Sequence, residues 1–322
     1  MCYMLVVYDM MLYMIYDLII LGGGPAGAAG AVYAARKQLK TLLITFEWGG
    51  QSVVSEKIYN WIGTPEISGP ELASGFKKHA ESYKGEFLEL IDGDKVISVS
   101  KNGDTFIITT ESGKAFTSRT VLATTGSGRR KLEIPGAAEF ENKGITYCAS
   151  CDGPLFSGMD VVVIGGGNAG FESAAQLLAY CNSVTMLHRS GNFRADEITV
   201  RKVLENPKMK VFKNVELLEV KGDQFVGSIS YKDKITGETH EITAGGIFVE
   251  IGQIPNTDFL KGVLELDQYG KIMVDPMNQR TKTDGIWAAG DATNGLYHQN
   301  NIAAGDAVKA LEDLYIWIHQ HK

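Results

Sequence analysis

Two runs of apolar residues give the chain a repeating pattern. The first, "DLIIL", begins at Asp17, and the second, "DVVVI", begins at Asp160, 143 positions later. Each run is short and has no polar interruption, which is typical of a strand buried on both faces of a parallel sheet. Glycines follow each run, and then comes a stretch rich in alanine that predicts a helix. The sequence therefore predicts a strand, a turn and a helix, twice.

The turn between strand and helix has the spacing Gly-x-Gly-x-x-Gly in both units. In this context the first glycine permits the tight turn, the second lets backbone N–H groups approach a pyrophosphate, and the third lets helix and strand pack closely. The phosphates then lie at the positive end of the helix, so the residues that begin the helix are also candidates for dinucleotide binding. The candidates are Gly22, Gly24, Pro25, Ala26 and Gly27 in the first unit, and Gly165, Gly167, Asn168, Ala169 and Gly170 in the second. Glycine-rich turns also end strands for steric reasons alone, so two nucleotide-free units remain the alternative.

The residue that ends the second strand of each unit indicates which nucleotide binds there. "TLLITFE" ends in Glu47, and a carboxylate at this place accepts hydrogen bonds from a ribose diol. The corresponding residue of the second unit is Ser190, with Arg189 before it and Arg194 after it. Two arginines attract a 2′-phosphate that an acid would repel. We therefore expect an adenosine with a free ribose in the first unit and NADPH in the second, with ordinary solvated surface charges as the alternative for the arginines.

The segments that follow the two units carry alternating β-branched residues and turn signals such as "KNGD", "ESGK" and "ITGE", which predict β-meanders. The last segment, "GIWAAGDATN" with a helix from about Ile302 to Ile318, has no counterpart after the first unit. We infer an α/β fold of two Rossmann-like dinucleotide-binding domains with β-meanders, the second inserted into the first.

The inserted domain sets the expected boundaries. The first domain is expected over residues 1–128 and 256–322, and the second over residues 129–255, with crossings of the chain near Gly126 to Arg130 and Gly252 to Asn256. Residues 1–13 precede the regular pattern and form an extension to which we assign no role. This apolar start lacks a cationic region and a cleavage site, so neither a signal peptide nor a membrane span is expected.

Charge and cysteine content narrow the class of protein. The 322 residues carry 31 basic and 38 acidic side chains, a net charge of −7 without a basic block, so nucleic acids are not expected partners. Four cysteines are too few for a disulfide scaffold in a chain of this length, which favours a cytoplasmic location.

Two of those cysteines stand in "TYCASCDG", just before the second fingerprint strand. Cys148 and Cys151 could hold zinc, close a structural disulfide or form a redox couple. Zinc would need further ligands, and so small a loop gains little from a structural bond, so we favour a reducible pair in which one thiolate expels the other. Asp152 follows at once and could move the proton that a departing thiolate needs, or simply cap backbone N–H groups.

Eight motifs in this order and spacing resemble a low-molecular-weight thioredoxin reductase, within the FAD- and NAD(P)-linked pyridine nucleotide-disulfide oxidoreductases. They are "GGGPAG", "GGQ", "YNWIG", "CASCDGPLF", "GGGNAG", "HRSGNFRADE", "GQIPNT" and "GIWAAGDA", and the resemblance runs from about Tyr16 to the C-terminus. It implies a homodimer with FAD in the first domain, NADPH and a redox disulfide in the second, and thioredoxin or a thioredoxin-like protein as substrate.

The resemblance also implies roles for individual residues. Cys151 would face the flavin, Cys148 would attack the partner's disulfide, and Asp152 would serve as acid and base. Further residues are carried over to the FAD site, namely Gln51, Asn60, Gly126, Gly290, Asp291 and Gln299, and His188 joins Arg189 and Arg194 at the NADPH site.

Three departures from the family pattern affect these expectations. Ser190 stands where a second consecutive arginine is more usual, Gly170 replaces a more usual alanine, and His298 replaces a common arginine or lysine beside Gln299. NADH or another donor such as ferredoxin therefore remains an alternative to NADPH. The chain is also similar to the flavoprotein reductase of the alkyl hydroperoxide system, whose additional N-terminal redox domain we do not expect in these 322 residues. A nucleotide-binding module without turnover is the alternative from another class.

Overall fold

The computed structural model describes residues 14–55 and 57–321, so the expected extension over residues 1–13 lies outside the described residues. The chain forms two compact units. The first combines Met1–Gly128 with Ile254–Lys322, and the second is the intervening segment Arg129–Gln253. The second unit is thus inserted into the first. Its last residue is Gln253, whereas the sequence pattern predicted residue 255.

The elements are numbered along the described part of the chain. Its strands are β1 (Ile15–Gly23), β2 (Thr41–Trp48), β3 (Leu88–Asp92), β4 (Val96–Asn102), β5 (Thr105–Thr110), β6 (Ala115–Ala123), β7 (Ser127–Arg129), β8 (Ile145–Thr146), β9 (Asp160–Ile164), β10 (Ser183–His188), β11 (Met209–Lys213), β12 (Val215–Gly222), β13 (Val226–Asp233), β14 (Thr239–Thr243), β15 (Gly246–Val249), β16 (Gln253–Pro255) and β17 (Ile286–Ala288). Its helices are α1 (Pro25–Arg36), α2 (Gly69–Glu81), α3 (Ala149–Asp152), α4 (Asn168–Leu177), α5 (Glu197–Leu204) and α6 (Asn300–Gln320), with 3₁₀ turns at Gly50–Val54, Gly153–Phe156 and Asp258–Leu260.

A seven-stranded sheet forms the centre of the first unit. Its order is β3-β2-β1-β6-β5-β4, with β17 also paired to β6. β1, β2, β3, β6 and β17 are parallel, whereas β4, β5 and β6 form an antiparallel meander. The meander thus returns the chain to the parallel sheet beside β1, which places the carboxyl ends of β1, β2 and β6 at one edge.

Helices α1 and α6 cover one face of this sheet. Leu18, Leu122 and Trp287 from the strands pack with Ala31 and Leu314 of the helices in one buried cluster. The alanines of α1 allow this close packing, because small side chains let a helix approach a sheet. Pro25 begins α1, where its fixed φ suits the first turn and its missing N–H costs nothing. The C-terminal helix is longer than the sequence pattern predicted and runs from Asn300 to Gln320.

The second unit has a five-stranded parallel sheet in the order β11-β10-β9-β15-β8 and a separate antiparallel meander, β12-β13-β14. Its core includes Val162, Ile164 and Ile247 on one side and Val163 and Phe171 on the other. Because β9 lies between β10 and β15, the order reverses at β9. In a sheet of this kind the ligand crevice lies outside the carboxyl ends of the strands at that point.

The two passages of the chain between the units pair with each other as β7 and β16. The Arg130 N–H donates to the Gly252 carbonyl at 3.0 Å, and the Asn256 N–H donates to the Gly126 carbonyl at 3.0 Å. Within residues 14–55 and 57–321, no helix has the length and apolar character that a membrane span requires.

Candidate active site

The first fingerprint lies at the carboxyl end of β1 and has a cradle that side chains would fill. Gly22 has φ +111°, and a Cβ there would lie 2.6 Å from the Thr124 carbonyl oxygen. A Cβ on Gly27 would lie 1.8 Å from the Gly22 oxygen, so only glycine lets α1 begin this close to β1. At Gly24 a Cβ would meet no atom within 4 Å. The protein therefore leaves space at Gly24, where a pyrophosphate would approach the backbone.

The second fingerprint repeats this geometry at the carboxyl end of β9. Gly165 has φ +119°, and a Cβ there would lie 2.2 Å from the Glu250 carbonyl oxygen. A Cβ on Gly170 would lie 2.1 Å from the Gly165 oxygen, whereas one on Gly167 would meet nothing within 4 Å. Asn168 and Ala169 begin α4 next to this space, as Pro25 and Ala26 begin α1 in the first unit. Both fingerprints therefore fit a dinucleotide.

The polar residues predicted for the flavin lie together in the first unit. The Gln51 amide donates to an Asp291 carboxylate oxygen at 3.2 Å and to the Ser127 hydroxyl at 3.1 Å. The Asn60 amide donates to the Gln299 side-chain oxygen at 3.1 Å. These contacts join residues from the start, middle and end of the unit, and we refer to these five residues as the polar cluster.

The histidine that departs from the family pattern lies beside the polar cluster. His298 Nδ1 lies 3.6 Å from an Asp291 carboxylate oxygen, and its Nε2 lies 3.1 Å from Lys271 Nζ. An ammonium group can only donate, so Nε2 accepts and Nδ1 carries the proton that faces Asp291. Lys271 thus supplies a cation beside the position where an arginine or lysine is more usual.

Three further residues of the first unit were predicted for the FAD site, namely Glu47, Gly126 and Gly290. Glu47 is exposed near the end of β2, in the irregular stretch where the register between β1 and β2 shifts beside Gly23. Gly126 and Gly290 have positive φ, +63° and +77°. A Cβ on Gly290 would lie 3.2 Å from the Ala303 Cβ and 3.5 Å from the Ala26 Cβ, so glycine lets the starts of α1 and α6 approach here.

The residues predicted for the 2′-phosphate end of NADPH lie at the last residue of β10, His188, and on the loop that follows it. The His188 ring Nε2 lies 2.9 Å from the Asn192 carbonyl, and the Arg194 N–H donates to the Gly166 carbonyl at 3.0 Å, which ties the loop to the second fingerprint. Arg189, Ser190 and Arg194 are exposed. A further cation that the sequence did not reveal joins them, because Lys234 Nζ, from the turn between β13 and β14, donates to the Arg189 carbonyl at 3.3 Å.

Cys148 and Cys151 form a disulfide around the short helix α3, with Cα atoms 5.3 Å apart. Cys148 is the N-cap of this helix, and its Sγ accepts a hydrogen bond from the Cys151 N–H at 3.2 Å. Both residues are half-buried, and Ser150 anchors the helix to α4 by donating to Gln176 Oε1 at 2.8 Å. The backbone N–H on Cys148 Sγ would stabilise a thiolate once the bond is reduced.

The Asp152 carboxyl group lies at the end of α3 and accepts a hydrogen bond from the Thr146 hydroxyl. It caps no backbone N–H of the 3₁₀ turn that follows it, so the capping alternative does not describe its role there. Burial raises the pKa of Asp152, and the Thr146 hydrogen bond and the Arg129 charge partly offset that rise. A carboxyl group that keeps its proton to higher pH beside a disulfide is suited to general acid catalysis.

Sequence reasoning missed four residues of the second unit that act on these groups. Thr146 and Arg129 influence Asp152, and Arg129 also lies near the Glu250 carboxyl. Glu250, directly after β15, accepts a hydrogen bond from the Ser173 hydroxyl of α4 at 2.6 Å. One signal was available in the sequence, because Glu250 directly follows the apolar run "GIFV", at the carboxyl end of a buried strand where ligands of such sheets bind.

Comparison with known proteins agrees with this geometry. Residues 16–307 match the family described as "Pyridine nucleotide-disulphide oxidoreductase". The chain belongs to this family. Membership implies a flavin, FAD, and a nicotinamide nucleotide, and both fingerprints have the open space that such ligands need.

Two solved structures have the same fold over nearly the whole chain. The thioredoxin reductase from Giardia duodenalis is 33% identical, with a TM-score of 0.88 over 94% of this chain and 99% of that one. The thioredoxin reductase from Streptococcus pyogenes is 32% identical, with a TM-score of 0.86 over 95% of this chain and 99% of that one. The expected fold class, with two Rossmann-like domains, is confirmed.

Relatives with other names are somewhat more similar in sequence. The "NADH dehydrogenase" of Bacillus subtilis is 39% identical over 92% of this chain and 57% of its own length. An alkyl hydroperoxide reductase protein of Escherichia coli is 38% identical over 92% of this chain and 57% of its own length. The chain thus spans little more than half the length of these curated relatives.

Proposed function

We propose that this chain is a flavoprotein disulfide reductase that passes electrons from NADPH, through FAD and the Cys148–Cys151 disulfide, to thioredoxin or a thioredoxin-like protein. The observation that carries this proposal is the disulfide itself. It spans a short helix that one 3₁₀ turn separates from the strand of the second fingerprint, and Asp152 is the last residue of that helix. A dithiol couple and a nucleotide site in the same unit are what a reductase of this kind requires.

The chemistry balances with two electrons and two protons. FAD, when bound, supplies the two-electron relay between the nicotinamide hydride and the disulfide. The S–S bond of Cys148 and Cys151 breaks, and two thiols form. The Cys148 thiolate then attacks one sulfur of the partner's disulfide to give a mixed disulfide, and the Cys151 thiolate displaces the partner and restores the original bond. Asp152 gives the departing thiolate its proton and takes one back in the next cycle.

Residues of the first unit hold the flavin in this proposal. The backbone around Gly24 takes the pyrophosphate, and Glu47 accepts hydrogen bonds from the adenosine ribose. The cluster of Gln51, Asn60, Asp291 and Gln299 holds the flavin end, and hydrogen bonds link Gln51 to Asp291 and Asn60 to Gln299.

The nucleotide preference has a second candidate. Arg189, Arg194 and the nearby Lys234 favour NADPH, because three cations at one loop attract a 2′-phosphate. NADH remains a candidate because Ser190 offers no charge and because similar proteins are named "NADH dehydrogenase". We propose NADPH as the preferred donor, with a modest preference over NADH.

Thiol counting tests the proposal without any assumption about the protein partner. Under anaerobic conditions, NADPH should convert the disulfide of the wild-type protein into two additional thiols per chain, measured after denaturation. Cys148→Ser should gain none, since it has no disulfide to reduce. Cys181→Ser is the matched control, because Cys181 is buried and unbonded, and it should gain the same two thiols as the wild type. An unchanged thiol count in the wild type would contradict the proposal.

A homodimer and a cytoplasmic location complete the proposal. The homodimer rests on the resemblance to thioredoxin reductases, and the cytoplasmic location rests on the low cysteine content. Light scattering on the purified flavoprotein tests the dimer. A mass of one chain, about half the expected value, would refute the dimer.

A further inference from the structure

The Glu250 carboxyl group lies at the second fingerprint and has no part in the function proposed so far. The Glu250 backbone N–H donates to the Ile164 carbonyl at 2.8 Å, and the Glu250 backbone carbonyl lies against Gly165. A Cβ on Gly170 would lie 3.8 Å from the Glu250 Cβ. The residue is therefore fixed between the first and third glycines of the fingerprint.

This position is one wall of the nucleotide crevice. β15 ends at Val249, and β9 ends at Ile164 directly beside it in the parallel sheet. The strand order reverses between these two strands, and the crevice outside their carboxyl ends is where such a sheet binds its dinucleotide. The glycines of the fingerprint follow β9, and Glu250 follows β15, so the two walls face one ligand position.

From this geometry we propose that Glu250 is a nucleotide-positioning residue whose carboxyl group must be protonated when the nicotinamide dinucleotide occupies the crevice. The inference rests on the proposed nucleotide site in the second unit. It extends that site to a side chain that neither the fingerprint nor the arginine loop includes.

The surroundings of Glu250 allow both protonation states near neutral pH. Burial raises its pKa to about 7, Glu172 adds to that rise, and the Ser173 hydrogen bond and the Arg129 charge lower it. These groups come from α4 and from β7. As a carboxylate, Glu250 would repel the two negative charges of a pyrophosphate in a poorly solvated site, whereas the protonated acid offers a hydrogen-bond donor. Nucleotide affinity should therefore fall as pH rises through 7.

Calorimetric titration of the oxidised flavoprotein with NADP⁺ tests the inference, because no turnover occurs. If only the protonated form binds, the wild-type dissociation constant should increase about tenfold between pH 6 and pH 8. Glu250→Gln keeps the shape and stays neutral, so it should lose the tenfold weakening due to Glu250 and retain only the pH dependence of the ligand itself, with an affinity close to that of the wild type at pH 6. The 2′-phosphate of NADP⁺ itself titrates near pH 6, and the comparison of wild type and variant at each pH removes that contribution.

Two further variants separate positioning from a merely structural role. Ser173→Ala removes the hydrogen bond that lowers the Glu250 pKa, so its loss of affinity should begin at higher pH than in the wild type. Glu216→Gln, an exposed residue of β12 in the same unit, is the matched control and should reproduce the wild-type pH profile.

The outcomes distinguish this inference from the proposed function. Two results would overturn the role of Glu250 and leave the nucleotide site intact. One is the same dependence of NADP⁺ affinity on pH in the wild type and in Glu250→Gln. The other is weaker NADP⁺ binding by Glu250→Gln than by the wild type at pH 8. A folded protein that binds neither NADP⁺ nor NAD⁺ at any pH would overturn the nucleotide site itself, and the inference with it. Failure to reduce thioredoxin would affect neither measurement.

Discussion

The two glycines of the first fingerprint should respond in opposite ways to the same substitution. Gly24 has φ −74°, which any residue can adopt, and a Cβ there would meet no atom within 4 Å. Gly24→Val should therefore cost the flavin-free protein only about 1 kcal/mol, because valine is a poor N-cap for α1. A Cβ on Gly27 would lie 1.8 Å from the Gly22 oxygen, so Gly27→Val forces α1 away from β1. That overpacking should cost about 3 kcal/mol or more.

Flavin binding, unlike the stability of the flavin-free protein, should be strongly affected by Gly24→Val. The valine at Gly24 fills the space reserved for the pyrophosphate, so this variant should purify without flavin despite its intact fold. It then lacks the stabilisation by ligand, about 4 kcal/mol when free flavin stands a thousandfold above its dissociation constant. Gly167→Val, the equivalent change in the second unit, should keep the flavin and lose NADP⁺ binding, because its Cβ also faces open space.

The assay combines three measurements on each variant. Urea unfolding of the flavin-free proteins gives the free energy of unfolding, absorbance of the purified proteins gives the flavin content, and calorimetry gives NADP⁺ affinity. Full flavin content in Gly24→Val would refute the assignment of the first fingerprint. Equal destabilisation of the flavin-free Gly24→Val and Gly27→Val proteins would refute the steric argument.

Three further changes probe individual side chains. Glu47→Ala removes the acceptor for the ribose diol. Because a charge-assisted hydrogen bond contributes about 1.5 to 3 kcal/mol, this change should weaken FAD binding at least tenfold, as measured by flavin titration of the flavin-free protein. Arg189→Ala should lower the ratio of NADPH to NADH turnover about tenfold or more for the same reason, and Lys234→Ala should lower it less; an unchanged ratio in Arg189→Ala would show that the loop binds no 2′-phosphate. If protonated Asp152 gives its proton to the departing thiolate, the rate of thioredoxin reduction should fall as the pH rises through the raised pKa of Asp152. Asp152→Asn should reduce thioredoxin about a hundredfold more slowly or worse. Thr146→Val should shift the fall in rate to higher pH, because it loses the hydrogen bond that lowers the Asp152 pKa. A Thr146→Val profile shifted to lower pH would contradict this sign.

The sequence predicted the parts of the site that depend on local spacing. The fingerprint glycines stand within six residues of one another, and their geometry follows from steric limits on one turn between a strand and a helix. The cysteine pair is equally local, and the disulfide is confirmed. The insertion of one unit into the other was also readable, since only the first unit has a segment left over after the repeat.

Residues that meet across long stretches of chain could not be predicted. Ser173 and Glu250 are 77 positions apart, and Gln51 and Asp291 are 240 apart, so their contacts depend on how strands and helices assemble. Arg129 acts on both Asp152 and Glu250 only because β7 passes near both. The sequence predicts the turn at "ITGE" but not that this turn brings Lys234 to the arginine loop.

Electron transfer through the cysteines is the central claim, and reduction of thioredoxin by three matched proteins tests it most directly. Wild type, Cys148→Ser and Cys151→Ser should all lose their oxidised-flavin absorbance when mixed anaerobically with NADPH, because hydride transfer precedes the disulfide step. The wild type should then reduce thioredoxin, and neither variant should do so above background. If either single variant reduces thioredoxin at the wild-type rate, the Cys148–Cys151 disulfide is structural and the proposed electron path is wrong.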